Sequence, residues 1–187
     1  MSERHILWEP WTDAGLEHLR FQVGPDAMEA DGLIIRSTGN GAPLRVVYRL
    51  SCDAAFRVRA ARLASRTAIE RRLDLRSDGE GCWSDASGRL EHLDGCIDLD
   101  LAATPFTNTL PIRRLGLRPG ESAEIQVAYV TVPELDLKRV RQRYTCRRKD
   151  KDGGLYLYEG LDSDFAAELP VDADGLVLDY PGQWRRR

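Results

Sequence analysis

Two aspartates set the chemical question in this chain. Asp98 and Asp100 alternate with Ile97, Leu99 and Leu101. In an extended strand, residues two apart project to the same side, roughly 7 Å from one another. Two carboxylates so placed can hold a cation, work as acid and base, or accept hydrogen bonds from sugar hydroxyls. They can equally be neutralised by arginines on neighbouring strands, which this sequence supplies in quantity. Downstream, the run Thr104-Pro105-Phe106-Thr107-Asn108-Thr109-Leu110-Pro111-Ile112-Arg113-Arg114-Leu115 carries the next candidates. Arg113 and Arg114 could receive a phosphate or carboxylate headgroup, or tie their segment down to Asp98 and Asp100. Two prolines exclude a regular strand here, while Asn108 or Thr109 can cap a short helix that Gly116 ends. The segment is therefore expected to fold over one end of a sheet as a turn plus a short helix. Arg113 or Arg114 should then lie near Asp98 or Asp100.

Other chemistry is thinly represented. There is no Gly-x-Ser-x-Gly elbow and no glycine-rich phosphate loop. The three histidines, His5, His18 and His92, are dispersed, and only His92 has a cysteine, Cys96, nearby in sequence. Cys52, Cys82, Cys96 and Cys146 form no CxxC pair, which reads as reduced thiols with neither a metal site nor a cofactor implied. A net charge of −3 over 187 residues argues against nucleic acid as a partner. No stretch has the length of a membrane span, and Met1 to Trp11 lacks the apolar run of a secretory signal, so a cytoplasmic protein is expected.

The elements that must position these groups are strands. Apolar residues recur with period two, and Glu29-Ala30-Asp31-Gly32, Asp78-Gly79, Ala86-Ser87-Gly88, Lys151-Asp152-Gly153-Gly154 and Ala173-Asp174-Gly175 punctuate them like hairpin turns. Strands are expected over 16–23, 33–36, 44–52, 55–63, 69–76, 82–84, 89–93, 96–101, 123–132, 140–147, 155–159, 165–169 and 176–180. So many strands exceed one flat open sheet, which would curl or close. The apolar phase slips by one between Phe56 and Leu63, predicting a bulge near Ala60-Ala61. Gln142 shares a face with Val140, Tyr144 and Cys146, so it is either bonded to backbone or lines a cavity with polar content. Tyr156 and Tyr158 oppose Leu155 and Leu157, a strand apolar on both faces, which is covered twice or borders a hollow. The arginine-rich end, Gln183 to Arg187, is expected to be solvated and mobile. The fold class is thus mainly β: a strongly curved antiparallel sheet or incomplete barrel with one or two short helices, as one domain over 1–187.

The central run, with Tyr129-Val130-Thr131-Val132-Pro133, Gln142-Arg143-Tyr144 and Asp174-Gly175-Leu176…Asp179-Tyr180-Pro181, resembles a bacterial family described as glycolipid-binding, formerly a domain of unknown function. The likeness spans essentially the whole chain. It implies an architecture similar to bacterial lipoprotein carriers, with acyl chains held in an apolar hollow of a curved sheet. A polar head would then meet Asp98, Asp100, Asn108, Arg113 and Arg114, with Phe106, Tyr129, Gln142, Tyr144 and Tyr158 completing the ligand contacts. The chain departs from those carriers in showing no signal peptide or lipidated cysteine. Two alternatives stand beside this reading. One is an enzyme acting on a sugar-containing or phosphorylated small molecule through the Asp98/Asp100 pair, which requires both carboxylates to open into one pocket. The other is a structural protein with a filled core.

Overall fold

A computed structural model describes residues 2–37 and 43–187. Its strands are β1 (Ser2–Pro10), β2 (Gly15–Val23), β3 (Ala27–Arg36), β4 (Leu44–Asp53), β5 (Val58–Arg66), β6 (Glu70–Ser77), β7 (Trp83–Asp85) and β8 (Gly88–Arg89). They continue with β9 (Asp98–Leu101), β10 (Ser122–Val130), β11 (Leu137–Asp150), β12 (Gly153–Gly160), β13 (Ala166–Asp172), β14 (Asp179–Tyr180) and β15 (Trp184–Arg186), with one helix, α1 (Thr109–Leu115). A ten-stranded sheet runs β14-β15-β1-β2-β3-β4-β5-β6-β7-β8, and a five-stranded sheet runs β13-β12-β11-β10-β9. The smaller sheet curls into half a barrel, and helix amounts to 7% of residues, so the mainly-β expectation stands.

Alternation builds the large sheet. In β4, Leu44, Val46, Tyr48, Leu50 and Cys52 are buried while Arg45, Val47 and Arg49 face solvent. The inner face packs against the small sheet and the central segment, with Trp8, Leu19, Phe21, Ile34, Tyr48, Leu99 and Phe106 in one continuous core. Phe106 meets the Phe21 ring edge-on at 5.7 Å between centroids and stacks on Tyr48 at 6.2 Å.

Several sequence expectations change here. Glu29 to Gly32 is no turn but the middle of β3. Gly32 is needed because the ring of its cross-strand partner Tyr48 lies across it, and a Cβ would meet that ring at 2.1 Å. An unforeseen first strand, β1, buries Ile6 and Trp8. The arginine-rich end is not free: Trp184 to Arg186 pair with Trp8 to Pro10, and Trp184 is buried. Arg185 and Arg187 bond to Glu9, and Arg186 to Asp172. Residues 91–93 form a 3₁₀ turn instead of strand, and only Asp179–Tyr180 of the run 176–180 is strand. The bulge lies where the phase slip places it. Ser51 faces Ala60 and Cys52 faces Val58, so Arg59 is the additional residue, and Phe56 and Leu63 are both buried.

The central segment leaves the sheet. A 3₁₀ turn over Phe106–Asn108 leads into α1, which Gly116 ends in the left-handed region at φ 59°. This segment joins β9 to its neighbour β10, and the two run parallel. A parallel pair cannot be closed by a hairpin and needs a crossover of this kind.

Candidate ligand-binding site

Both faces of β9 are covered, so neither aspartate lies on a solvated outer face as simple alternation would allow. Asp98 is 1% exposed. Arg114, from the last turn of α1, donates through Nε to both carboxylate oxygens at 3.0 and 3.2 Å and through Nη2 at 2.5 Å. Burial pushes the Asp98 carboxyl up from its usual range, and the guanidinium opposes that push. The arginine that ties the segment down is therefore Arg114. Arg113 lies instead over the Phe56 ring at 4.8 Å.

Asp100, two residues on, has no cation within ion-pair distance among the described residues. Its Oδ1 accepts from Thr107 at 2.9 Å and its Oδ2 from Gln142 Nε2 at 2.6 Å. Burial raises its pKa, the two hydrogen bonds oppose the rise, and the charge of Asp98 adds to it. Gln142 thus finds a side-chain acceptor instead of backbone. Tyr144 donates its hydroxyl to Asn108 Oδ1 at 2.9 Å, and Asn108 Nδ2 donates to the Pro105 carbonyl at 3.2 Å. Asn108 stands at the N-cap position of α1, as one of the two expected candidates, but its side chain makes no cap hydrogen bond. Its amide is committed to Tyr144 and to the turn.

These groups form the back of a cleft of about 360 Å³, whose lining includes Asp100, Asn108 and Gln142. Tyr129, Tyr158 and Tyr180 stand along it, Lys138, Arg141 and Asp162 border it, and Phe165 and Trp184 add apolar surface. Among the described residues, none of the hydroxyls of Tyr129, Tyr158 and Tyr180 has a hydrogen-bond partner. Burial raises the pKa of all three phenols, and the nearby Asp100 charge adds to each. They stay protonated at neutral pH and are free to donate. Lys138 rests over the Tyr129 ring at 5.2 Å, and Arg141 is held by Asp162 at 2.7 Å.

Of the residues singled out from sequence, Asp100, Asn108, Tyr129, Gln142 and Tyr158 meet in this cleft. Tyr144 braces Asn108 from behind, and Phe106 belongs to the core. Asp98 and Arg114 are sealed against each other, and Arg113 points elsewhere. The paired-carboxylate chemistry needs both acids in one pocket, and only Asp100 is there.

Sequence reasoning missed Tyr180, Thr104 and Trp184, and above all Glu17. Glu17 is fully buried on the inner face of β2. Its Oε1 accepts from the Tyr48 hydroxyl and from Thr104 Oγ1, each at 2.6 Å, while its Oε2 has no partner. Burial raises its pKa to about 8. Thr104 in turn accepts from the Phe106 amide at 2.9 Å and lines the cleft. The signal was available, since Glu17 is in phase with Leu19 and Phe21 on the apolar face of its strand.

The family model described as "Putative glycolipid-binding" matches residues 5–186. A crystal structure of a DUF1089 family protein from Pseudomonas aeruginosa is 40% identical, with a TM-score of 0.78 over 91% of this chain and 92% of that one. No curated protein matches. Among the described residues, no helix is long and apolar enough to cross a membrane.

Proposed function

The chain belongs to that glycolipid-binding family, and from this premise we propose that the cleft takes the sugar head of a glycolipid. The observation that carries the reading is the set of three unpartnered phenol hydroxyls facing a buried carboxylate. A sugar hydroxyl both donates and accepts. Asp100 can accept from it, the phenols of Tyr129, Tyr158 and Tyr180 can donate to it, and their rings offer faces to the sugar's C–H surface. A phosphate head suits this floor poorly, because an anion beside the Asp100 carboxylate is repelled.

The inner face of the large sheet is filled by the core side chains. Apolar surface for a chain lies outside the core, in an open groove of about 460 Å³ lined by Ile97, Leu115 and Ile125. Arg141 borders both this groove and the cleft. The cleft volume falls near the lower end of small-molecule pockets, which suits a head of one or two rings.

The test is a titration of octyl glucoside below its micelle concentration, with octanol and methyl glucoside as controls, read by the fluorescence of Trp184 in the cleft wall. Octyl glucoside should bind, and Tyr158→Phe with Tyr180→Phe should weaken it. Equal binding of octanol, or affinity indifferent to both substitutions, would sink the proposal. Native mass spectrometry of protein from its own host, showing a copurifying hexose-containing lipid, would then identify the ligand.

A further inference from the structure

The face of the ten-stranded sheet turned away from the core carries a patch that the cleft does not explain. Leu7, Leu33 and Val47 stand in one cross-strand row, and Leu16, Ile35, Arg45 and Arg66 in the next. Leu16 is 43% exposed, Ile35 48%, and Ile69, in the turn before β6, 65%. An aliphatic surface is thus presented to solvent.

The charges beside it are arranged against stability. Arg45 and Arg66 are direct cross-strand partners on this exposed face. Like charges in that position repel. Other arginines of the same face have carboxylates, as Arg49 has Asp31 at 2.6 Å and Arg62 has Asp74 at 3.3 Å. The residue opposite Arg66 is Glu70, which bonds to Arg72 at 2.6 Å instead. Among the described residues, neither Arg45 nor Arg66 has a carboxylate within ion-pair distance, although the chain as a whole is acidic, at −3.

We propose that this face docks on an anionic lipid surface. Alkyl side chains beside uncompensated cations are the two signals that together hold a protein at such a surface. The pattern fits a protein partner less well, because protein interfaces centre on aromatic anchors and the apolar residues of this patch are Leu, Ile and Val. A second copy meeting this face with its own would bring the same unpaired arginines against them.

The test is co-sedimentation of the full chain with vesicles free of glycolipid, made of phosphatidylcholine alone or with phosphatidylglycerol added. The chain should bind the anionic vesicles, lose them with added salt, and ignore the neutral ones. Arg45→Gln with Arg66→Gln should lower binding by about tenfold or more. The same pair should leave the thermal midpoint unchanged or raised, since a repulsion is relieved. Octyl glucoside binding in the cleft should not move, which keeps this proposal separable from the last. Ile35→Asn with Ile69→Asn should also release the vesicles. Equal binding to both vesicle types, no binding to anionic ones, or variants that bind as the parent does would each overturn the proposal. So would a concentration-dependent dimer that these substitutions disperse, which would assign the face to self-association.

Discussion

Asp98 and Asp100 share a strand and a side, yet they have opposite surroundings. Asp98 sits beneath α1 and is neutralised by Arg114. Asp100 sits against the turn before α1, is held by two neutral donors, one of them Thr107 of that turn, and borders a cleft. Strand geometry makes the pair equivalent; the covering segment makes them different. An ion pair satisfied within the protein has nothing left for a ligand. A carboxyl held only by neutral donors keeps spare lone pairs for one.

The contrast can be broken by substitution, and the largest effect should come from the sealed acid. Asp98→Ala leaves the Arg114 guanidinium buried without its partner and should cost about 3–5 kcal/mol of folding stability. Urea denaturation would measure it, and octyl glucoside affinity at a temperature where the variant stays folded should be unchanged. Replacing both partners, Asp98→Leu with Arg114→Met, should recover most of the loss. A stable Asp98→Ala protein with weakened sugar binding would reverse the assignment of the two acids.

Glu17 sharpens the comparison as a buried carboxyl with neither a cation nor a cleft. Its folded pKa of about 8 lies above the ordinary 4.5, so the folded chain holds the proton more tightly than the unfolded one. Its contribution to stability is therefore complete below about pH 4.5 and is lost as pH rises to about 8. Between those limits the slope approaches about 1.4 kcal/mol per pH unit. Glu17→Gln, which mimics the protonated acid, should remove that slope, so the two proteins should be alike in stability near pH 4.5 and the wild type should fall progressively below the variant as pH rises. Parallel curves across this range would show Glu17 to be ionised when folded.

Asp100→Asn should reverse the pattern of Asp98→Ala. Octyl glucoside affinity should fall by roughly 1.5–3 kcal/mol, the weight of a hydrogen bond to a charged group, with little change in stability. Tyr158→Phe removes one neutral hydroxyl and should cost about 0.5–1.5 kcal/mol of affinity, measured by the same titration. Affinity unchanged in both would remove the cleft from the account.

The sequence was readable where local rules decide. Period-two alternation gave most strands, the phase slip between Phe56 and Leu63 gave the bulge, and two prolines with flanking arginines gave the helical cover. It misled where a distant partner decides. Gly32 looks like turn chemistry, but what demands it is the Tyr48 ring from the next strand. The final arginines look solvated, but Glu9 and Asp172, far off in sequence, bind them. Alternation told which side Asp98 and Asp100 share, and not that a helix would cover one and stop short of the other. Tyr180 joined the cleft through the return of the chain from the small sheet to the large one, which no spacing in the sequence records.

The parallel pairing of β9 with β10 bears on how this protein tolerates change in chain length. Hairpin turns such as those joining β2 to β3 or β11 to β12 can gain or lose a residue and keep their strands in place, because antiparallel neighbours need only a tight reversal. Between β9 and β10 the chain must travel back the full length of a strand before it can begin again. Deletions there cannot be absorbed by a shorter loop. They would pull β9 out of register, and Asp100 with it, so among proteins of this architecture this connection should be the one whose length varies least.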